Sequence, residues 1–444
     1  MRQNLILQTD SYKLTHHAMY PPGTKHVYSY LEARAGAQYP FTVFFGLQYL
    51  LKEYLEGSRV TQSDVTEAFQ VAAGHFGVNH QFNKDWATIA QEGGRLPIRI
   101  RAVAEGAVVP VGNVLLTIEN TDPRFPWLTN ALESLIFKVW YPTTVATVSY
   151  WIRQTLVKNY GVDPSFMLHD FGYRGVSSEE SAMMGGAAHL LSFMGTDTLP
   201  AMRMLHHYYG APMVSAYSVA ASEHSVMTSE GPEGELGIAL RIIAQNSNAI
   251  VSLVADSYNY YKFVDAMIAN KEIVDRYKVK LVIRPDSTTA EHPTPESLVV
   301  WTLKRQLEKF GKIHYNVLWG DGIDPYGIIR ICDAVEREVG KEYVQNLVFG
   351  MGGGLLQKVN RDTQRFAIKC SAQFRDDKWI DISKNPLDAS KKSKAGRLAL
   401  VKGAHGPMTV PYEQSLGGDM LHTVYENGVI TKQYTWDQIH RRNG

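Results

Sequence analysis

The feature that most constrains this chain is a rhythm. From about residue 165, short apolar runs recur, each ending in polar or glycine residues: FMLHDF (166–171), PMVSAYSV (212–219), AIVSLVAD (249–256), VKLVIRPD (279–286), HYNVLWGD (314–321) and NLVFGMGG (346–353). The third, fourth and fifth end in Asp256, Asp286 and Asp321, 30 and 35 residues apart. That is the length of a strand, a helix and two loops. Helical stretches such as 257–276 and 292–310 fill the gaps. The pattern predicts parallel strands with crossover helices, closed into a barrel or open. In a (βα) barrel the chemistry gathers at the strand C-terminal ends, where the functional-looking residues of this chain fall.

The flanks read differently. Residues 26–34 predict a strand, 44–55 a helix with a broad apolar face, and 95–120 a small antiparallel unit with turn glycines. Two helices are expected over 126–139 and 143–159, with Pro142 between them. Residues 376–444 return to strand-like texture, and Asn427-Gly428 is a hairpin signal. The expected fold is α/β: an N-terminal α+β segment (1–160), an irregular (βα) barrel-like core (161–375) and a C-terminal β-rich segment (376–444). β pieces from both termini would build an additional, mainly antiparallel sheet.

Composition excludes several classes. Of 444 residues, 45% are apolar and 20% charged, with a formal net charge of +1. No global field therefore favours nucleic acid or an anionic membrane. Two cysteines make neither a disulfide framework nor a metal-ligand pattern, and a reducing compartment is expected. The N-terminal apolar run, Leu5 to Leu7, is too short for a signal peptide, and no stretch approaches a membrane span. A cytoplasmic location is the expectation.

Several constellations carry chemistry. Gly350-Met351-Gly352-Gly353-Gly354 follows an apolar strand and opens a helix, where glycine lets backbone N–H groups approach phosphate. A tight turn is the plainer reading, and neither a Walker A loop nor a clean dinucleotide fingerprint is present. Asp256, Asp286 and Asp321 could hold ribose hydroxyls or Mg²⁺ through water, although one such Asp is commonly a helix N-cap. Arg284 shares a strand face with Asp286, either paired to it or free for an anion or amide. His224, in YSVAASEHS, has nucleophile, base, ligand and spectator readings. The basic stretch Lys384 to Arg397 could take phosphates, though solvated charge runs are commoner. HDFGYRG (169–175) contains a kinase-like DFG, but HRD, a glycine lid and a β3 lysine are missing. Ser177 and Glu180 fit a capping box, which makes the motif a strand end, a loop holding Phe171 and Arg174, and a capped helix.

With these residues in hand, the chain resembles the nicotinamide phosphoribosyltransferases from about Thr9 to about Asp437. The motifs are TDSYK, HDFGYRGVSS, FMGTDT, YSVAASEHS, ADSYN, RPDS, GDGID, GGGLLQK with a nearby RD, and LHTVYENG. Their order along one chain is far more specific than any one of them. The resemblance implies a pentosyltransferase condensing nicotinamide with phosphoribosyl pyrophosphate to nicotinamide mononucleotide and pyrophosphate, in NAD salvage. It implies a homodimer with shared active sites and ATP hydrolysis coupled through a phosphohistidine. Phe171 and a cross-subunit Tyr12 would sandwich the ring, Asp197 accept the carboxamide N–H₂, and Ser252 and Arg284 meet its oxygen. Arg174 would line that pocket and the phosphates. Asp286, Gly320 and Asp321 would hold the ribose, and Gly352 and Gly353 the 5′-phosphate. Arg34, Arg361 and Lys369 would neutralise phosphates, Lys384 and Lys391 lie near bound nucleotide, and Asp256 and Asp286 hold Mg²⁺. His224 would be the phosphorylated residue.

The chain departs from the pattern at Thr288, Met351 and Ala367, and the segment after Arg34 is short, as expected of a microbial or phage form. Competing readings are nicotinate phosphoribosyltransferase, a non-catalytic nucleotide-sensing barrel and a metal-dependent aldolase. The set of acids with His224 argues against the sensor. The aldolase lacks a His/Asp/Glu ligand cluster.

Overall fold

A computed structural model describes residues 3–77, 82–384, 392–404 and 406–442. The chain forms two compact units. One comprises Val148–His206 with Ala211–Val359, and the other Met1–Thr147, His207–Gly210 and Asn360–Gly444.

The first of these holds a parallel sheet of seven strands: β1 (Leu168–Asp170), β2 (Gly195–Thr196), β3 (Ala220–Ala221), β4 (Ile250–Val254), β5 (Lys280–Arg284), β6 (Asn316–Trp319) and β7 (Leu347–Met351). Their order is β2-β1-β7-β6-β5-β4-β3. The strands read as unbroken Val/Ile/Leu runs because both faces are covered; Val251, Leu253, Leu281, Ile283, Val317 and Phe349 are all buried. The sheet curls until its two edges meet in one segment. Tyr217 bridges to Gly195 on β2, while Ala220 and Ala221 pair with Val251 and Ser252 on β4.

Helices Tyr260–Ala269 and Lys271–Arg276 link β4 to β5, Pro295–Phe310 links β5 to β6, and Pro325–Glu338 links β6 to β7. The last two start by the same device. Thr294 accepts the Ser297 N–H and Asp324 the Gly327 N–H, each from the third helical residue, and a proline, which lacks an N–H, takes the first position. In register, Arg284 lies opposite Val254, so Asp256 and Asp286, each two residues past its strand, emerge side by side.

The second unit is built on an antiparallel sheet in the order Lys378–Asp381, Phe366–Arg375, His26–Ala33, Val114–Asn120, Ile98–Ala102, His422–Glu426, Val429–Ile430. N- and C-terminal strands interleave, as expected. Asn427 and Gly428 take positive φ of 49° and 84° in the final hairpin, the backbone that an Asn-Gly turn supplies. Phe366–Arg375 pairs along the whole of His26–Ala33, so the changeover between units falls at Asn360, compared with 376 in the sequence reading. At the other end it falls at Val148, compared with 161.

Local expectations differ from the structure in four places. Residues 44–55 form a short α-helix, Leu47–Leu50, that widens into a π-turn over Leu51–Leu55. The 126–139 helix is two pieces, and Pro142 lies inside Trp140–Tyr160, in its first turn, where no intrahelical N–H is lost. The 212–219 run is no strand, because only Tyr217 within it finds a sheet partner. The N-cap after HDFGYRG is Ser178, accepting from the Ser181 N–H, and not Ser177.

Candidate active site

Two cavities lie within the first unit; the second opens at the C-terminal ends of the parallel strands, and the first runs along the strands, from Ile250, Asn316 and Leu347 at their starts to Phe171 and Arg284 at their ends. One, of about 460 Å³, is lined by His169, Phe171, Asp197, Ser218, Ser252 and Arg284 among others. The second, of about 320 Å³, is lined by Arg174, Asp286, Gly320, Asp321, Gly352 and Gly353 among others. Phe171 and Arg284 border both.

Phe171 leaves the end of β1, and its N–H donates to the Met351 carbonyl at 3.1 Å. Its ring lies against Gly350, where an added Cβ would sit 2.0 Å from Cε2. Part of the glycine run therefore makes room for an aromatic ring. Gly354 is held for a similar reason, its Cβ position lying 2.5 Å from the Ile323 carbonyl oxygen. Gly352 and Gly353 open a short helix whose first N–H groups lack intrahelical acceptors. The departure at Met351 is harmless to both cavities, since that side chain is buried and lines neither.

Arg284 donates from Nε (3.2 Å) and Nη2 (2.7 Å) to one oxygen of Asp286, and its guanidinium lies 5.7 Å from the Phe171 ring centre. The Asp197 carboxylate accepts from the Ser218 hydroxyl. The Ser252 hydroxyl is buried without a hydrogen-bond partner, a state that a polar ligand group would relieve. Burial holds the His169 imidazole below its usual range, which favours the uncharged ring, and the nearby Asp197 charge opposes this.

His224 opens a one-turn helix after β3. Its Nε2 is 3.2 Å from Asp256 Oδ1, and its Nδ1 is 4.0 Å from Asp286 Oδ2. The other Asp256 oxygen accepts from Ser287. The imidazole is half-exposed, with 47% of the side chain accessible, so it is reachable by a substrate. Among the described residues no group of three or more His, Cys, Asp or Glu converges on a metal position. Two hard carboxylates on adjacent strands fit a magnesium ion carried mainly by substrate oxygens and water, not a closed protein cage.

In the second unit, Tyr12 projects from the 3₁₀ turn Ser11–Ala18, 55% exposed, with His16 edge-on at 5.3 Å. Arg34 donates to the Arg365 carbonyl at 3.1 Å, and Arg361 pairs with Asp362. The Lys369 ammonium is held below its usual range, chiefly by burial; Glu133 opposes this, while the charges of Arg34, Lys384 and Arg361 add to it. Four of the basic residues singled out in the sequence thus gather around one another. Lys391 lies outside the described residues. Ala367 is buried and lies opposite Glu32.

Some of the site escaped sequence reasoning. Ser218 and Ser287 both contact key acids, yet one sits where strand pattern fails and the other reaches across to the neighbouring strand. The equal offsets of Asp256 and Asp286 past their strands were the available signal for Ser287. Lys358 and Gln357, which line the second cavity, stand in the quoted GGGLLQK without having drawn a role.

Residues 166–429 match the model described as the nicotinate phosphoribosyltransferase (NAPRTase) family, and residues 4–100 match the nicotinamide phosphoribosyltransferase N-terminal domain. A protein of Xanthomonas campestris pv. campestris named nicotinamide phosphoribosyltransferase is 42% identical over 98% of this chain and 97% of its own length. One of the same name from Acinetobacter baylyi is 29% identical over 99% and 97%. Two solved structures share the fold at 14% identity. They are nicotinate-nucleotide pyrophosphorylase from Pyrococcus furiosus (TM-score 0.63, covering 99% of this chain and 94% of that one) and human nicotinic acid phosphoribosyltransferase (0.61, 98% and 92%). The chain belongs to the nicotinate phosphoribosyltransferase family.

Proposed function

We propose that this chain is a nicotinamide phosphoribosyltransferase. It transfers the phosphoribosyl group of 5-phosphoribosyl 1-pyrophosphate to nicotinamide, giving nicotinamide mononucleotide and pyrophosphate for NAD salvage. The observation that carries this reading is the Asp197 carboxylate in the wall of the cavity that Phe171 borders. A carboxylate accepts the N–H₂ of an amide and repels the carboxylate of nicotinate. Ser218 engages one of its oxygens, leaving the other for the amide, while the Ser252 hydroxyl and Arg284 are suited to the amide oxygen. Phe171 gives the pyridine ring a flat apolar face, and the cationic pyridinium product gains further from it.

In the reaction the pyridine nitrogen bonds to ribose C1 as the bond from C1 to the pyrophosphate oxygen breaks. Asp286, Gly320 and Asp321 hold the ribose, and Gly352 and Gly353 offer backbone N–H groups to the 5′-phosphate. Arg174 offsets phosphate charge, Arg34, Arg361 and Lys369 do so partly across the dimer interface, and Lys384 is assigned to bound nucleotide. Magnesium, held by Asp256 and Asp286 with the pyrophosphate, would supply charge neutralisation on the leaving group.

The same reading includes ATP coupling. Asp256 holds Nε2 of His224, which leaves the Nδ1 lone pair to take the γ-phosphoryl group from ATP as the bond to ADP breaks; water later cleaves the phosphorus–nitrogen bond. The pairing of Asp286 with Arg284 tempers the negative charge facing that nitrogen. The enzyme acts as a cytoplasmic homodimer, with Tyr12 of the partner subunit closing the ring sandwich.

Equal concentrations of nicotinamide and nicotinate, each with phosphoribosyl pyrophosphate and with or without ATP, test the proposal. Mononucleotide formed preferentially from nicotinamide, and faster with ATP, is expected. Preference for nicotinate would overturn the substrate assignment, and absence of pyrophosphate release would favour the sensing barrel.

A further inference from the structure

We infer that Asp170, which lines neither cavity, is a positioning residue that locks Phe171 and Asp197 into one wall of the ring pocket; the inference rests on the nicotinamide reading of that pocket. Asp170 ends β1, is fully buried, and pairs in register with Met351 on one side and Thr196 on the other. Its Oδ1 accepts the Gly172 N–H at 2.7 Å, reaching across Phe171. Its backbone carbonyl accepts the Asp197 N–H at 2.9 Å. With the Phe171 N–H bound to Met351, the peptide units on both sides of Phe171 are tied, and one residue anchors both proposed nicotinamide contacts.

The surroundings are shaped for this carboxyl. An added Cβ at Gly186 would come within 2.9 Å of Oδ2, and one at Gly172 within 3.0 Å of Oδ1. Both glycines also face closer neighbours, Ala201 Cβ at 2.7 Å and Leu356 Cδ1 at 2.5 Å, so the carboxyl is one of the groups for which they leave room. Neither Oδ2 nor the Thr198 hydroxyl beside it makes a hydrogen bond of good geometry, so burying them carries a cost. A turn at the protein surface would have avoided that cost, because there water satisfies the second oxygen. Burial pushes the carboxyl up to about 6, and the charge of Asp197 adds to the rise against the opposing Gly172 N–H and Thr198 hydroxyl. An amide of the same shape is a close steric surrogate that keeps the acceptor and removes the buried charge. In asparagine the side-chain oxygen can still accept from Gly172, while the N–H₂ can donate to Thr198.

The test compares Asp170→Ala, Asp170→Ser and Asp170→Asn in the full-length enzyme, with KM measured separately for nicotinamide and for phosphoribosyl pyrophosphate. The loss of one buried charge-assisted hydrogen bond predicts a rise of about tenfold in the nicotinamide KM for Asp170→Ala. The phosphoribosyl pyrophosphate KM should stay within about twofold, and Asp170→Asn should restore the nicotinamide KM to within about threefold of wild type. Should Asp170→Ala not fold, Asp170→Ser, whose hydroxyl reaches the Gly172 N–H only weakly, takes its place, and Asp170→Asn decides alone if neither folds. An unchanged nicotinamide KM in the alanine variant, equal rises for both substrates, or an asparagine variant as impaired as alanine would each overturn the inference. A wild-type enzyme that makes no mononucleotide from nicotinamide would instead refute the function proposed above.

Discussion

Gly350→Ala puts the packing argument at its sharpest. The new methyl carbon would lie 2.0, 2.2 and 2.8 Å from Cε2, Cδ2 and Cζ of Phe171, where ordinary contact begins near 3.4 Å. Strand β7 cannot yield, since Met351 beside it is paired on β1 and accepts the Phe171 N–H. The ring must retreat by about 1.4 Å, and the space beside it is the two cavities that it borders, the first of which would receive nicotinamide. Overpacking of this kind costs about 1–3 kcal/mol. If most of that appears as displaced ring stacking, the nicotinamide KM rises about five- to a hundredfold. Initial rates at saturating phosphoribosyl pyrophosphate read the effect, and thermal denaturation confirms that the variant is folded. The control is a double-mutant cycle with Phe171→Leu, in which the second substitution should absorb most of the penalty. A folded Gly350→Ala enzyme with wild-type nicotinamide KM, or a penalty unchanged in the Phe171→Leu background, would falsify the reasoning.

Three further outcomes are expected. Asp197→Asn should weaken nicotinamide use and relax exclusion of nicotinate, so the ratio of kcat/KM values for the two pyridines should fall at least about tenfold for loss of one like-charge contact; an unchanged ratio removes Asp197 from the specificity role. His224→Ala should abolish stimulation by ATP while leaving residual transfer, and a variant stimulated as strongly as wild type would rule out the phosphohistidine. Glu105, fully buried behind the Gly46 and Gln48 N–H groups, has its carboxyl pushed up by burial from 4.5 to about 7. The folded state therefore holds the proton longer than the unfolded state does. This contribution to stability is complete below about pH 4.5 and is lost as pH rises through about 7, on the order of 3 kcal/mol in all. The stability difference between wild type and Glu105→Gln, followed by urea denaturation from pH 4.5 to 8, should shrink by that order; a constant difference would contradict it.

The parallel sheet was legible because its signal is one-dimensional. Asp256, Asp286 and Asp321 recur at the spacing of a strand and a crossover helix, and the apolar runs before them are β4, β5 and β6. What escaped depends on three-dimensional context. The 212–219 run has the composition of a strand, but its only sheet contact is the Tyr217 bridge. Pro142 breaks a helix in most positions but not in a first turn, and sequence alone does not say where that turn begins. The glycine run reads as a phosphate loop, whereas Gly350 answers to the Phe171 ring, 179 positions earlier in the chain. Asp170 was hidden behind an accidental resemblance to a kinase triplet; only its burial and its two glycine neighbours mark it out.

The meeting of sheet edges at Tyr217 has a consequence for how such an enzyme can change. Opposite it the cavity is lined by β4 to β7, which pair in an unbroken parallel series. At this seam the backbone is stitched by two hydrogen bonds, Thr196 N–H to the Tyr217 carbonyl at 3.0 Å and Tyr217 N–H to the Met194 carbonyl at 2.8 Å. Ser218 and Asp197, which set the polar end of the cavity, hang from opposite sides of it. On the proposed reading, substitutions there would reshape the choice of pyridine while the buried apolar strands stay as they are, so selectivity and foldability would be written into different parts of the same barrel.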